Sequence, residues 1–448
     1  MAATASSLVP KTPASVAQGA SPTRSVVLPR LWYEGFELDS FSNDTVATYT
    51  VLSSAPVLTA LMTPYQYNVW QYNPGGSVSN SITHQNGTFM QNTVAIQPGR
   101  YVLVIYAYLA QALVQFGYQV DPSTPFSYGP ISQPLASGIA SFGVSNSSGT
   151  ITSYEVKTNQ IVGLAKISSL QVDTPDASSY GVLATGATLQ LNAMLVVIDN
   201  GGSAQKVYWV QDVPEFVTAT SHVSFGDEIW NSTSTPSYLS NQTVTSTNFQ
   251  KGGFVYSVGG GGALGSLFVY NYNGNSQTYN LPFDLALLMK ATVLPGAGVV
   301  VQLGYRLLSS GSGVALLTNW FDNVTIHDSG VQTAYFDVSG DATTPDGHYF
   351  DAELVFAGEG NLETAHFTQL SAALGLFYEG GIGRTLSSFP TYYGFSGDTG
   401  ESADNLVVTY VNGIAQVAAG TNSNYPYLGS GFLVLDPNTM TVSPPRVN

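Results

Sequence analysis

Short runs of alternating apolar and polar residues fill this chain, and helical periodicity is almost absent from it. Residues 46–51, 101–108 and 206–213 are examples in which aromatic and β-branched residues dominate. Turn residues separate the runs, as in the Asn-Pro-Gly-Gly segment at 73–76. A period of two places successive side chains on opposite faces of a strand, so the pattern predicts an all-β protein made of antiparallel sheets.

Segments rich in Pro, Gly and Ser divide the chain into three predicted parts. Residues 1–30 consist largely of Ala, Ser, Pro and Thr, and they predict a disordered linker or the remnant of a pro-segment. Residues 31–120 predict an N-terminal antiparallel β-sandwich domain. A Pro-rich connection at 121–130 leads into residues 121–448, which predict a larger catalytic domain, either a β-sandwich or a barrel.

The charge content of the chain indicates function in acid. Only 12 Lys and Arg and 28 Asp and Glu occur among 448 residues, and the formal charge at neutral pH is −16. When every carboxylate is neutral, the 12 Lys and Arg and the 5 His give a charge of about +17, which is small for this length. Acid therefore generates little self-repulsion, and the charge count predicts a melting temperature that changes little between about pH 3 and 6. The alternative is an acidic, glycosylated exoprotein without special adaptation.

Composition also limits the partners and the compartment. The absence of cysteine excludes disulfides and thiol nucleophiles. The scarcity of Lys and Arg argues against a nucleic-acid partner. The sequence contains no stretch of about 20 apolar residues, so we predict no membrane span. The first residues lack the basic and apolar regions of a signal peptide. We infer that a signal peptide was removed or was never present. We expect export to an acidic extracellular or cell-surface environment. Candidate N-glycan sites are Asn43, Asn86, Asn146, Asn231, Asn241 and Asn323.

Hydrolysis in acid limits the side chains that can carry the chemistry. Histidine is already protonated below about pH 5 and is then no base, and metal ligands lose their metal to protons in the same range. The five His residues show no His-Glu-X-X-His spacing, so we predict neither a metal nor another cofactor. Carboxylates remain, because a coupled pair can hold one proton between them at low pH.

Two strand-like segments hold the predicted catalytic residues. In the first, Asp351 and Glu353 are two residues apart, and alternation places both on one face, with Phe350 on the other. In the second, Gln211 and Asp212 are neighbours and must point to opposite faces unless a bulge intervenes. If Asp212 faces the cleft, an aspartic-type pair with Asp351 or Glu353 is expected. If Gln211 faces it, a Gln–Glu pair like that of the glutamic peptidases is expected.

Further acidic and aromatic residues are second candidates. Asp398 and Glu401 lie in a Gly-rich segment and are either site residues or turn residues. Asp227 and Glu228 are expected at the rim of a cleft or in a simple loop. Trp209 and Tyr208 precede Gln211 in the segment Tyr-Trp-Val-Gln-Asp-Val and are the predicted substrate-binding residues.

Seven segments beyond about residue 118 follow the order of a known family: 134–144 (PLASGIASFGV), 161–170 (IVGLAKISSL), 189–192 (LQLN), 208–213 (YWVQDV), 227–231 (DEIWN), 351–358 (DAELVFAG) and 395–401 (FSGDTGE). Through these segments the chain resembles the thermopsin family, the acid endopeptidases of acidophilic archaea. Residues 61–67 and 98–106 are also similar. One departure is Ser141, where the family pattern prefers Asp. The resemblance implies a secreted, thermostable acid endopeptidase that acts on polypeptides.

Two other functions fit the same residues. Paired carboxylates on a β-sandwich also serve glycoside hydrolases, for which Tyr and Trp would stack on sugars. A non-catalytic cell-surface protein would equally have β-sandwiches, glycosylation sites and little charge. Digestion of protein rather than polysaccharide in acid separates the first two, and a chain without activity favours the third.

Overall fold

The structure is a computed structural model of the whole chain. It describes residues 24–443 except 29, 32, 41–44, 64–65, 68–69, 71–77, 79–80, 98, 123–134, 148–149, 200–204, 232–238, 259–266, 310–316, 344–348, 380–385, 397–398, 412, 421–426, 430–432 and 437–440. Strands make up most of this part, which confirms the predicted all-β class. Its helices are single turns, so none has the length and apolar character needed to cross a membrane.

The first six strands form one antiparallel sheet. They are β1 (Arg24–Leu28), β2 (Tyr33–Ser40), β3 (Thr45–Met62), β4 (Thr83–Ile96), β5 (Gly99–Tyr106) and β6 (Ala112–Pro122). The strand order is β1-β6-β3-β5-β2, and β4 also pairs with β3. The pairing of β3 with β4 shifts in register between Leu52 and Val57. On its other edge, the first half of β3 pairs with β6 and the second half pairs with β5. The sheet thereby curves around a core that includes Val51, Leu103 and Phe116.

The remaining strands build two large sheets and two small two-stranded sheets. They begin with β7 (Ser137–Ser141), β8 (Val144–Ser147), β9 (Thr150–Ser153), β10 (Glu155–Thr158), β11 (Gln160–Val172), β12 (Gly186–Asp199), β13 (Gln205–Val217), β14 (His222–Asn231), β15 (Val244–Ser246), β16 (Phe254–Val258), β17 (Leu267–Thr278), β18 (Phe283–Leu294) and β19 (Gly298–Ser309). They continue with β20 (Asn319–His327), β21 (Val331–Thr343), β22 (Tyr349–Phe350), β23 (Ala352–Ala357), β24 (Thr364–Ala365), β25 (Phe367–Glu379), β26 (Leu386–Ser388), β27 (Tyr392–Phe395), β28 (Ser402–Ala403), β29 (Leu406–Val411), β30 (Ile414–Ala419), β31 (Tyr427–Gly429), β32 (Val434–Asp436) and β33 (Thr441–Ser443). A one-turn helix, α1 (Ala177–Tyr180), and a 3₁₀ turn, Phe249–Lys251, complete the elements.

The two sheets pack face to face as a sandwich, and the described strands do not close into a barrel. The front sheet has the order β16-β17-β14-β13-β12-β23-β7-β27-β31, and the back sheet has the order β15-β20-β19-β18-β11-β25-β26-β32-β33. Apolar side chains of both sheets form one core between them. Phe225 of the front sheet stacks on Tyr305 of the back sheet with ring centroids 3.4 Å apart. The centre of the front sheet is therefore held rigidly against the back sheet.

One glycine in the front sheet is required by a close approach. A Cβ atom at Gly138 on β7 would lie 2.2 Å from the carbonyl oxygen of Leu354 on β23. Any larger residue would push β7 away from β23. This contact fixes the position of β23, which carries Glu353.

We propose that the first sheet and the sandwich are separate domains. The first sheet ends at Pro122, and the sandwich strands begin at Ser137. The predicted connection at 123–130 and most of the predicted linker lie outside the described residues. Residues 24–28, which the sequence analysis assigned to the linker, form β1 and pair with β6. The proposed first domain therefore begins at β1.

Limited proteolysis should cut the folded chain before β1 and between 123 and 134. Pro-rich segments between domains are accessible to proteases, whereas paired strands are protected. Mass spectrometry of the fragments, with calorimetry of each fragment, measures this. A chain that resists cutting between 123 and 134 and unfolds in a single transition would contradict two domains.

Candidate active site

Five polar side chains form a row across the centre of the front sheet. Glu353 lies opposite Asn192, Asn192 lies opposite Gln211, Gln211 lies opposite Glu228, and Glu228 lies opposite Asn271. Residues directly opposite each other in neighbouring strands point to the same face. We call Glu353, Asn192, Gln211, Glu228 and Asn271 the polar row.

The polar row faces away from the sandwich core. Its sequence neighbours Leu354, Leu191, Val210 and Ile229 all belong to the core cluster between the sheets. Because successive side chains of a strand alternate, the row lies on the outer face of the front sheet. On this face Glu353, Asn192 and Gln211 are buried, and Glu228 is half-buried.

Glu353 is fully buried at one end of the row, and three donors converge on one of its oxygens. Its Oε2 atom accepts hydrogen bonds from Ser396 Oγ at 2.7 Å, from Asn192 Nδ2 at 3.2 Å and from Thr399 Oγ1 at 3.2 Å. The Asn192 Nδ2 group also donates to Thr399 Oγ1 at 2.8 Å. Glu353 is therefore held as a hydrogen-bond acceptor.

Gln211 connects Glu353 to the other glutamate of the row. Its Nε2 group donates to Asn192 Oδ1 at 3.2 Å, and its Oε1 atom accepts from Trp230 Nε1 at 2.9 Å. Trp230 Nε1 also donates to Glu228 Oε2 at 2.8 Å. A continuous hydrogen-bond chain thus joins Glu228 to Glu353.

Glu228 is neutral in acid. Burial and, to a smaller extent, the negative charge of Glu401 together raise its pKa from 4.5 to about 7, against the hydrogen bonds that Asn271 and Trp230 donate to it. Its side chain is nevertheless partly accessible at the open end of the row. At the pH where histidine is fully protonated, Glu228 is a carboxylic acid that can donate a hydrogen bond.

The regular alternation around Glu353 stops at Asp351. Ala352 packs in the core between the sheets, whereas Phe350 packs with Trp209 and Met194 on the outer face. Phe350 was expected on the face opposite Glu353, and the break between β22 and β23 explains the difference. Asp351 lies at this break and is fully buried. The alternation therefore does not carry Asp351 into the polar row, and its catalytic role stays a prediction.

Asp212 lies on the core side of β13, opposite in direction to Gln211. It is fully buried beside Asp227 of β14, and Asp227 in turn interacts with Asp322 of β20 in the back sheet. Burial raises the pKa of Asp212 well above its usual value, although the backbone N–H groups of Leu288 and Gly304 lower it. We call Asp212, Asp227 and Asp322 the interior acids. They lie between the two sheets, on the side opposite to the polar row.

The interior acids have an organised hydrogen-bond environment. Tyr270 donates its hydroxyl to Asp322 Oδ2 at 2.5 Å, and Ser246 Oγ and the backbone N–H of Asn323 donate to Asp322 Oδ1, each at 2.7 Å. Burial raises the pKa of Asp227 well above its usual value, and repulsion from Asp322 raises it further. Asp227 therefore keeps its proton to a higher pH than an exposed aspartate does.

The other predicted site residues have different positions. Tyr208 is buried in the core, whereas Trp209 is on the outer face with its ring centroid 6.4 Å from that of Trp230. Glu401 is half-buried, and its Oε1 atom accepts the backbone N–H of Leu362 at 3.4 Å. Asp398 lies outside the described residues.

Ser141, which stands where the family pattern prefers Asp, is not part of the polar row. It lies opposite Ala352 of β23, and it is hydrogen-bonded to the hydroxyl of Tyr154 at 2.7 Å. Ala140, its neighbour, is the residue opposite Glu353. An Asp at this position would point to the core side of β7 and away from Glu353.

Sequence reasoning missed Asn192, Trp230 and the role of Glu228. The loop interpretation of Asp227 and Glu228 is wrong, because both lie within β14 and point to opposite faces. One signal was present in the sequence: in the segment Leu-Gln-Leu-Asn at 189–192, two amides alternate with two leucines in a strand that is otherwise apolar. Such alternation marks a polar face.

Comparison with known proteins identifies the family of this chain. The family model for Thermopsin matches residues 121–406, which contain the whole polar row and Thr399. Thermopsin of Sulfolobus acidocaldarius is 34% identical over 324 residues, which are 72% of this chain and 89% of that protein. A match of this extent over the sandwich shows that the chain belongs to the thermopsin family of acid endopeptidases.

Proposed function

We propose that this acid endopeptidase hydrolyses polypeptides at the polar row, by a glutamic-type mechanism in which Glu353 and Gln211 act together. The observation that carries the proposal is the register of the front sheet, which places Glu353, Asn192 and Gln211 side by side on its outer face. In a chain with 28 acidic residues among 448, a buried glutamate surrounded by donors requires an explanation that packing does not give.

Glu353 is the base and then the acid of the reaction. It takes one proton from a water molecule while the water oxygen bonds to the carbonyl carbon of the substrate. The same proton then passes to the amide nitrogen as the carbon–nitrogen bond breaks, so Glu353 returns to its starting state. The amide groups of Gln211 and Asn192 orient the reacting groups along the row.

Glu228 supports this reaction by being neutral. The transition state develops negative charge on the carbonyl oxygen, and a neutral carboxylic acid beside the row can donate a hydrogen bond to it. An ionised Glu228 would repel that charge. Activity should therefore fall as the pH rises through the pKa of about 7 of this group.

The Glu228→Gln variant tests this role. Glutamine stays neutral at every pH, so we expect the variant to keep at least about a tenth of the kcat of the wild type at about pH 3 and to remain active at a higher pH than the wild type. The measurement is kcat/KM on a peptide substrate from about pH 2 to 8, with the Glu379→Gln variant of the back sheet as control. A wild-type optimum at neutral pH, or an alkaline limit that Glu228→Gln does not move, would contradict the proposal.

The same chemistry supports export to an acidic extracellular environment. A protease whose site requires a neutral glutamate has little use in a neutral compartment. Membership in a peptidase family favours proteolysis over the glycoside hydrolase and the non-catalytic surface protein. Digestion of denatured protein but not of polysaccharide in acid checks this choice.

A further inference from the structure

The hydrogen-bond chain of the polar row starts at a group that can only donate. The indole N–H of Trp230 has no acceptor capacity, and it contacts Gln211 Oε1 and Glu228 Oε2. An amide flip at Gln211 would turn its NH₂ group towards this N–H and place two donors against each other. Trp230 therefore fixes the orientation of the Gln211 amide.

The orientation of Gln211 determines that of the next residues. With its oxygen towards Trp230, Gln211 presents Nε2 to Asn192 Oδ1. Asn192 must then present Nδ2 to Glu353 Oε2. Each residue accepts on the Trp230 side and donates on the Glu353 side, so the direction of the chain is uniform.

A second branch of the network has the same direction. Gln211 Nε2 also donates to Gln190 Oε1 at 3.3 Å, and Gln190 Nε2 donates to Thr188 Oγ1 at 3.0 Å. The Thr188 hydroxyl donates to the backbone carbonyl of Gly358 at 2.8 Å. A carbonyl oxygen can only accept a hydrogen bond. This branch therefore ends at a group that must accept, whereas the network begins at the Trp230 N–H, which must donate.

We infer that Trp230 is a positioning residue, which sets the direction of this network and thereby makes Glu353 Oε2 a hydrogen-bond acceptor. The inference rests on the proposed role of Glu353 as the base. A base must accept a proton from water. A reversed network would instead present the oxygen of Asn192 to Glu353, and two acceptors can make that contact only with a proton between them. Trp230 acts on the reaction through Gln211 and Asn192. The strand of Trp230 lies three strand spacings from that of Glu353, or roughly 14 Å.

The Trp230→Phe variant removes the donor and keeps an aromatic ring. We expect kcat to fall about 10- to 100-fold with KM changed less than about threefold, because the network then lacks its obligate donor and only the acceptors at its other ends orient the amides. The acidic limb of the pH–kcat profile should also move to higher pH, because Asn192 then no longer donates to Glu353 Oε2 in every molecule. The corresponding control is Trp320→Phe in the back sheet, which should leave the profile unchanged.

A second variant makes the test independent of the packing of Trp230. Gln211→Met removes both the acceptor and the donor at similar size, and it should shift the acidic limb in the same direction. If Trp230 acts through Gln211, the double variant should show no larger shift than Gln211→Met alone. The stability of each variant is checked by its melting temperature in acid.

The outcomes separate this inference from the proposed function. If Glu353→Gln abolishes activity but Trp230→Phe and Gln211→Met leave the acidic limb unmoved, the inference is wrong and the proposed base stands. If the shifts of Trp230→Phe and Gln211→Met add in the double variant, Trp230 acts by another route and the inference is also wrong. If Glu353→Gln remains active, the proposed function fails first.

Discussion

Replacing Glu353 by glutamine should lower kcat by about three orders of magnitude or more and leave the fold intact. Glutamine has nearly the same shape, and its amide oxygen can accept the hydrogen bonds that Ser396, Thr399 and Asn192 donate to Glu353. It cannot take a proton from water, so the first step of the reaction is lost. The measurement is single-turnover cleavage of a peptide at about pH 3, with the melting temperature as the test of folding.

The Glu379→Gln variant is the matched control for this prediction. Glu379 is exposed at the end of β25 in the back sheet, and the same substitution there should leave kcat within about twofold. Asp212→Asn should also retain most activity, because Asp212 faces the core. Near-normal activity of Glu353→Gln, or a loss in Asp212→Asn as large as in Glu353→Gln, would contradict the outer-face site.

The fold class could be predicted because local sequence determines it. Alternation along 206–213 predicts that Trp209 and Gln211 share one face and that Tyr208 and Asp212 share the other, and the structure has this arrangement. Turn residues and β-branched residues act over a few positions, so the sequence contains them explicitly. The choice between sandwich and barrel depends on how edge strands close, which is not a local property.

The polar row could not be predicted because it depends on strand register. Glu353 and Gln211 belong to β23 and β13, which do not pair, and β12 lies between them with Asn192 opposite both. Nothing in the sequence near 211 specifies that β12 separates it from residue 353. The hydroxyls of Ser396 and Thr399 reach Glu353 from a segment more than 40 residues further along the chain.

The protonation of Glu228 also depends on distant contacts. Its neighbour Asp227 points into the core, so two adjacent carboxyl groups have separate environments on the two sides of one strand. Burial of Glu228 and the approach of Glu401 raise its pKa, and neither follows from the residues beside it. The same limitation applies to Asp351, since the break before β23 interrupts an otherwise regular alternation.

The buried carboxyl groups make the stability of the fold depend on pH, which the charge count alone does not predict. A small net charge in acid predicts a nearly constant melting temperature. The folded chain, however, holds the pKa of Asp212 and Asp227 well above the usual value and those of Glu228 and Glu363 at about 7. Between about pH 4 and 7 the folded state therefore binds more protons than the unfolded state, and its stability falls as the pH rises.

The size of this effect is several kcal/mol. A glutamate whose pKa rises from 4.5 to about 7 disfavours the folded state by roughly 3 kcal/mol once it has ionised in the unfolded chain. Below about pH 3 the groups are neutral in both states and the penalty disappears. The melting temperature of the wild type should fall by roughly 10 °C or more between about pH 4 and 7.

The Asp227→Asn variant should remove a large part of this fall. Asparagine does not ionise, and its NH₂ group can donate to Asp322, which at present repels Asp227. We expect the melting temperature at about pH 7 to rise by roughly 5 °C or more above that of the wild type, and to change by less than about 3 °C at about pH 3. Calorimetry of both proteins across this range measures the difference, with Asp176→Asn at an exposed position as control. A variant less stable than the wild type at neutral pH would show that Asp227 stabilises the folded chain as a carboxylate, and that the interior acids are not the source of the pH dependence.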